Sequence, residues 1–228
     1  MAASPESGGP LAGRTVFVAG ATGTVGTAVS ETLARHGADL VLHSHRPSDE
    51  LRERFGADVR YVHGDITEPE QIGVDEIEGP LHGIVNCVTG FDGRPQPLTA
   101  LNAKEFRRVI DVDLVGSFVL VTELLPCLAS GARIVLFSSV VASSGRPAAA
   151  HLCAAKGGVQ GLAKGLARDL APRDIRVRVV APGPVGPHPG LPSCTPAEVA
   201  DVVLFLSSSA GDGVPDGDVI TVLGTKES

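Results

Sequence analysis

Residues 15–35 read Thr15-Val-Phe-Val-Ala-Gly20-Ala-Thr-Gly23-Thr-Val-Gly26-Thr-Ala-Val-Ser-Glu-Thr-Leu-Ala-Arg35: a β-branched apolar run, a glycine-rich turn and an amphipathic stretch in direct succession. That order is the opening βα unit of a dinucleotide-binding sheet. Glycine is needed there for a tight turn, for close approach of the backbone to a pyrophosphate, and for packing of the helix on its strand. The free N–H groups at the helix N-terminus then meet the phosphates. Gly20, Thr22, Gly23, Thr24, Val25 and Gly26 are therefore candidate cofactor contacts.

Outward from this unit the alternation repeats. Strands are expected over Thr15–Ala19, Asp39–His43, Val59–His63, His82–Asn86, Ala132–Phe137, Arg176–Ala181 and Val219–Val222. Helices are expected over Val25–Arg35, Ala103–Leu128, His151–Leu170 and Pro196–Leu206. Several strands are continuous apolar runs, such as Arg133-Ile-Val-Leu-Phe137, as parallel strands covered on both faces should be. The pattern predicts an α/β fold, a single Rossmann-type doubly wound parallel β-sheet with helices on both faces. The 228 residues suffice for one domain, expected over 13–228 after a disordered N-terminal lead-in at 1–12.

Hydrophobic residues make up 43% of the chain, charged residues 20%, and the net charge is −7. An acidic chain without a Lys/Arg run is not built for nucleic acid. No apolar run approaches the ~20 residues of a membrane span, and the first residues lack the basic and apolar regions of a secretory signal. A cytoplasmic protein is expected, with Cys87, Cys127, Cys153 and Cys194 as free thiols. Their spacing fits no zinc site, and no metal is expected.

The end of the second strand bears on the cofactor. An NAD-selective site places a carboxylate there for the ribose 2′-OH. Here Ser44 holds that place, followed by His45 and Arg46, with no acid before Asp49. A guanidinium offers a planar donor fork to a 2′-phosphate. NADPH is expected in preference to NADH.

Further motifs carry a resemblance to the short-chain dehydrogenase/reductase family over roughly residues 13–224. Ser138-Ser139-Val140-Val141 ends the fifth strand, and Lys156 follows Ser139 by 17 residues, the spacing of that family's catalytic Ser and Lys. The tyrosine expected 13 residues after the serine is Leu152, and the family's Asn on the preceding helix is Asp113. Gly64-Asp65-Ile66 resembles the pair that meets the adenine, and Pro182-Gly183 follows the sixth strand as in the family. Asn86-Cys87-Val88-Thr89 keeps only the first residue of Asn-Asn-Ala-Gly. The Ser44–Arg46 run is similar to the 2′-phosphate site of pteridine reductases.

The resemblance implies that Lys156 holds the nicotinamide ribose hydroxyls. Ser139 either hydrogen-bonds a substrate carbonyl or caps its strand end. Asp113 can pair with Lys156. His151 lies five residues before Lys156, about 140° round the helix, and is expected to point elsewhere; His188 lies in a loop within reach of the pocket. That loop, Pro184 to Cys194, is short and rich in Pro, Gly and Ser. Pro184, Pro187, Pro189 and Pro192 should make a stiff turn over an open pocket.

A reductase that lacks its tyrosine still positions hydride. Its proton must then come from the substrate or from water, which suits a ketone beside a phenol or enol. The expected function is an NADPH-dependent ketoreductase of an aromatic, angucyclinone-like polyketide, similar to the atypical ketoreductases of angucyclinone tailoring in antibiotic biosynthesis. The alternatives are a non-redox cyclase, isomerase or dehydratase and a non-catalytic NADPH-binding protein. Ala103–Leu128 and His151–Leu170 resemble the helices that pack between subunits, which implies a homodimer or homotetramer.

Overall fold

The computed structural model describes residues 8–188 and 192–224. Seven strands form one sheet: β1 (Thr15–Ala19), β2 (Asp39–Ser44), β3 (Arg60–His63), β4 (Leu81–Asn86), β5 (Leu128–Phe137), β6 (Arg176–Pro182) and β7 (Val219–Val222). Their spatial order is β3-β2-β1-β4-β5-β6-β7, and every pairing is parallel. The chain steps outward from β1 to β3, recrosses the sheet, and steps outward the other way from β4. The carboxyl ends of β1 and β4 therefore flank the crevice where open α/β sheets take their ligands.

Helices cover both faces, as alternating strand side chains require. On one face α1 (Thr24–Arg35), α2 (Asp49–Phe55) and α7 (Pro196–Ser207) bring Val29, Leu33, Leu51 and Val203 against Val16, Val18, Leu42 and Val180. On the other lie α3 (Ala103–Ile110), α4 (Gly116–Leu124) and, after the short α5 (Val141–Ser144), α6 (Ala150–Leu170). There Leu120, Leu124, Val159 and Leu166 pack on Phe17, Ile84, Ile134 and Val179. Each such side chain stabilises the fold by about 1.5–3 kcal/mol on burial.

At the sheet end opposite the crevice, Arg178 is wholly buried. Its Nε and Nη2 donate to Val214 O at 3.0 and 2.9 Å. Arg133 meets Asp212 at 2.8 Å beside it, so charged groups clamp the last turn before β7.

Three expectations need correction. The helix expected over Ala103–Leu128 is broken: a π turn spans Asp111–Val115, and Pro126, which lacks an N–H, tightens the end into a 3-10 turn. Strand β5 consequently begins at Leu128, not Ala132. Helix α2 is additional; Ser48 caps it by accepting the Leu51 N–H at 3.3 Å, with Asp49 and Glu50 in its first turn. The lead-in over 1–12 is partly folded, because Leu11 is buried in the α1 cluster and its N–H donates to His36 O at 3.1 Å. Residues 1–7 lie outside the described residues. Among the described residues no helix is long and apolar enough to cross a membrane.

Candidate active site

The glycines at the end of β1 serve geometry that other residues cannot. Gly20 has φ 74°, and a Cβ on Gly26 would lie 2.1 Å from Gly20 O. Helix α1 thus packs directly on the turn. Its N-cap, Gly23, carries no side-chain cap, and no acid stands in the first turn. Thr22, Gly23 and Thr24 are exposed, and Val25 is half-buried. Open N–H groups at the positive end of a helix dipole fit a pyrophosphate.

At the end of β2 the residues divide. Ser44 is buried, and its hydroxyl donates to Arg46 O at 2.6 Å, so it shapes the loop. His45 and Arg46 are exposed, and among the described residues Arg46 has no carboxylate partner. A free guanidinium without a competing acid fits a phosphate. Beneath it, His43 stacks on Phe17 at 5.8 Å. Burial pushes its imidazole down to about 4.

The third strand delivers Asp65, which lines an open depression with Thr67 and Val112. Burial alone would raise its carboxyl, but two hydrogen bonds from Thr67 to Oδ1, at 2.9 and 2.8 Å, outweigh that and hold it below the usual range. Ile66 is buried beneath α4, where a Cβ on Gly116 would approach within 2.8 Å.

Beyond β4, Asn86 is buried and acts as a brace. Its Nδ2 donates to Ser117 Oγ at 2.9 Å, and its Oδ1 accepts the Val88 N–H at 3.1 Å. Burial lifts the neighbouring Cys87 thiol to about 12 against a smaller pull from Lys156, which disqualifies it as an acid near neutrality.

The chemical end gathers at the carboxyl ends of β5 and β6. Lys156 Nζ donates to Phe137 O at 3.1 Å and lies 3.1 Å from Asp113 Oδ2, with both side chains buried. Asp113 is aimed by the π turn and accepts from Thr89 Oγ1 at 3.2 Å and from the Gly90 N–H. Ser139 Oγ makes only long contacts, donating to Pro182 O at 3.3 Å and accepting from Val141 N at 3.4 Å. Ser138 is the firmly held serine: it donates to Lys156 O at 2.9 Å and accepts from Gln160 at 3.0 Å. Leu152 is 6% exposed and offers no exchangeable hydrogen. Pro182 ends β6 buried, and Gly183 N–H donates to Val222 O at 2.9 Å.

The loop after β6 is pinned at its base. Gly186 N–H donates to Cys194 O and Cys194 N–H to Pro184 O, both at 2.9 Å, and His188 is exposed. Pro189, expected in the stiff turn, lies outside the described residues. His151 is buried edge-on against Phe91 at 5.5 Å, a packing role at the start of α6. Sequence reasoning missed Thr89, Gly90 and Gln160 as partners of the Asp113–Lys156–Ser138 set. The one available signal was the altered loop after Asn86.

The chain matches the family described as short chain dehydrogenase over residues 14–189. It is 32% identical over 227 residues to trans-4-hydroxycyclohexanecarboxylate dehydrogenase of Sinomonas cyclohexanicum, covering 87% of each chain. It is 28% identical over 235 residues to the 3-oxoacyl-(acyl-carrier-protein) reductase MabA of Mycobacterium tuberculosis, covering 94% of this chain and 93% of that one. Among solved structures it superposes on a gluconate 5-dehydrogenase from Burkholderia cenocepacia, crystallised with NADP and tartrate, with TM-score 0.86 and 25% identity. That match covers 94% of this chain and 95% of the other.

Proposed function

The chain belongs to the short-chain dehydrogenases, a family of NAD(P)-binding oxidoreductases, and from that premise we propose that it is an NADPH-dependent ketoreductase of aromatic, polyketide-like ketones that works without a catalytic tyrosine. The observation that carries this is Lys156, held between Phe137 O and Asp113 at the carboxyl end of β5. A protein that only stored a nucleotide would have no use for a buried ammonium there. NADPH is favoured over NADH by Arg46, which has no carboxylate partner among the described residues, and by Ser44 in the place of a carboxylate.

When bound, the reduced nicotinamide supplies hydride. The turn at Gly20–Gly26 and the N-terminus of α1 hold the pyrophosphate, Arg46 with His45 the 2′-phosphate, and Asp65 with Ile66 the adenine. Lys156 has one N–H beyond its two contacts for the ribose hydroxyls. Ser139, loosely bound, is free to turn its hydroxyl to a substrate carbonyl. Leu152 makes the adjoining wall apolar, so the proton comes from a substrate hydroxyl or from water. A neighbouring phenol or enol lowers the barrier by donating to the oxygen as negative charge develops on it. Exposed Val115 and Phe118 on the α3–α4 helix support a homodimer or homotetramer.

The test is loss of nicotinamide absorbance when purified protein meets NADPH and a panel of hydroxy-ketones and angucyclinones. No loss with any member rejects the assignment. A second assignment, a non-redox cyclase, isomerase or dehydratase, draws on the same Leu152. It predicts turnover with oxidised cofactor or with none, and no deuterium transfer from labelled NADPH.

A further inference from the structure

Two loops meet at the mouth of the crevice, one after β4 and one after β5, and a cation stands where they meet. The Arg146 guanidinium lies over the Phe91 ring, 5.8 Å from its centroid. Phe91 in turn packs edge-on against His151 at 5.5 Å, in the same first turn of α6 that carries Leu152. Arg146 is exposed, Phe91 half-buried and His151 buried, so the stack climbs from the interior to the rim.

The guanidinium is held but not spent. Arg94 faces Asp92, Arg108 faces Glu105 and Lys156 faces Asp113. Among the described residues no carboxylate lies within ion-pair distance of Arg146. Its backbone is nevertheless tightly set. Gly145 at φ 70° and Ala148 at φ 57° bracket Arg146 and Pro147. The proline confines Arg146 to extended backbone, and a left-handed alanine is strained unless its surroundings hold it there. Ala148 O accepts the Gln96 N–H at 2.7 Å, which staples the two loops together.

The sheet order separates this cation from the nucleotide phosphates. Arg146 follows β5, which lies three strand spacings, about 14 Å, from β2 and Arg46, and two, about 10 Å, from β1 and the glycine turn. It stands instead on the side of Ser139 and Leu152, where the ketone enters. With one face toward Phe91, the guanidinium keeps its N–H edge, a planar fork that matches an ionised oxygen.

We propose that Arg146, aimed by Phe91, binds an ionised oxygen that the aromatic ketone carries away from its reacting carbonyl, so that the substrates are acidic aromatic ketones. The carboxylate or acidic enol is anchored at the rim while the carbonyl lies at Ser139. Leu152 gives that carbonyl no hydrogen bond and Ser139 is loosely held, so a distant anchor supplies the orientation that hydride transfer needs. Use of the anchor in turnover rests on the ketoreductase assignment; binding of the anion is a property of the folded, nucleotide-loaded chain.

The test is calorimetric titration of protein loaded with oxidised nucleotide, which binds ketones without turning them over. Two pairs serve as probes: an acetylnaphthoate with its methyl ester, and hydroxynaphthoquinone, ionised at neutral pH, with its methyl ether. The wild-type protein is expected to bind the anion about tenfold or more tightly than its neutral partner, the worth of a charge-assisted contact. A preference in only one pair identifies the acid that the site takes. Arg146→Met should bring the ratio near one, Arg146→Lys should keep part of it, and Phe91→Leu should lower it by freeing the guanidinium. Arg146 is exposed, so its variants should melt as the wild-type protein does. No preference in the wild-type protein, or a preference that survives Arg146→Met, overturns the site. In turnover, Arg146→Met should raise KM for the acidic ketone about tenfold with KM for NADPH unaltered; equal KM values in the two proteins overturn the use of the anchor. Failure of the wild-type protein to oxidise NADPH with any ketone overturns the ketoreductase assignment instead, and the titrations still decide the site.

Discussion

Lys156 and Asp113 face each other 3.1 Å apart inside the protein, with side chains 7% and 0% exposed. Removing one partner of such a pair strands the other charge in a medium that solvates it poorly. Asp113→Ala is expected to destabilise the fold by about 3–5 kcal/mol. The double variant Asp113→Leu with Lys156→Met, which removes both charges, should recover most of that loss. Urea denaturation at pH 7 checks both; a double variant as unstable as the single would show that the pair is not the source of the cost.

His43 sets an acid limit. Its imidazole is 1% exposed and held by burial at about 4, while the unfolded chain titrates near 6.5. The unfolded state therefore binds the proton first. Stability is intact above pH 6.5, falls as pH drops toward 4, and levels off below, with a total loss of about 3 kcal/mol from this group. His43→Leu, which leaves no polar atom behind, should flatten that part of the profile. Thermal melts at pH 7 and pH 5 measure the difference, and parallel losses in both proteins would remove His43 as the cause.

Arg46→Ala should weaken NADPH about 10–100-fold, the worth of a charge-assisted contact, while NADH binding changes little. Titration with each nucleotide separates the two. Equal weakening would mean that Arg46 does not meet the 2′-phosphate.

Leu152→Tyr should not raise kcat. Leu152 is packed against its surroundings, and the larger ring is expected to cost about 1–3 kcal/mol of stability by overfilling the site. A rise in kcat of about tenfold or more, the scale of positioned acid catalysis, would show instead that the pocket still accepts the family's donor.

Ser139→Ala should lower kcat less than about tenfold, below the usual range for a positioned acid or base, because its two contacts are long. Complete inactivation, measured by NADPH oxidation with a substrate that the wild-type protein turns over, would assign Ser139 an indispensable donor role.

The strands were readable because a parallel sheet buried on both faces demands unbroken apolar runs, and β1, β6 and β7 begin at the expected residues. The glycine turn was readable for the same reason: only glycine tolerates the approach of Gly26 to Gly20. Helix boundaries were harder, since the π turn at Asp111–Val115 goes together with side-chain bonds of Asp113 to residues 89, 90 and 156, far away in sequence. Periodicity sees only local spacing. The same holds for Ser44, whose place in the strand suggested a ligand contact while its hydroxyl is spent on Arg46 O. Position along the chain fixes where a side chain starts, and tertiary contacts decide what its polar atoms do.

The pinned base of the loop after β6 has a consequence for remodelling. Pro184, Gly186 and Cys194 close the base of that segment with two backbone hydrogen bonds. The segment is a cassette. A longer flap from a relative, spliced between Gly186 and Cys194, should change which ketones are admitted while leaving the sheet and nucleotide seat as they are, so that this enzyme and an enclosed one become interchangeable at one graft.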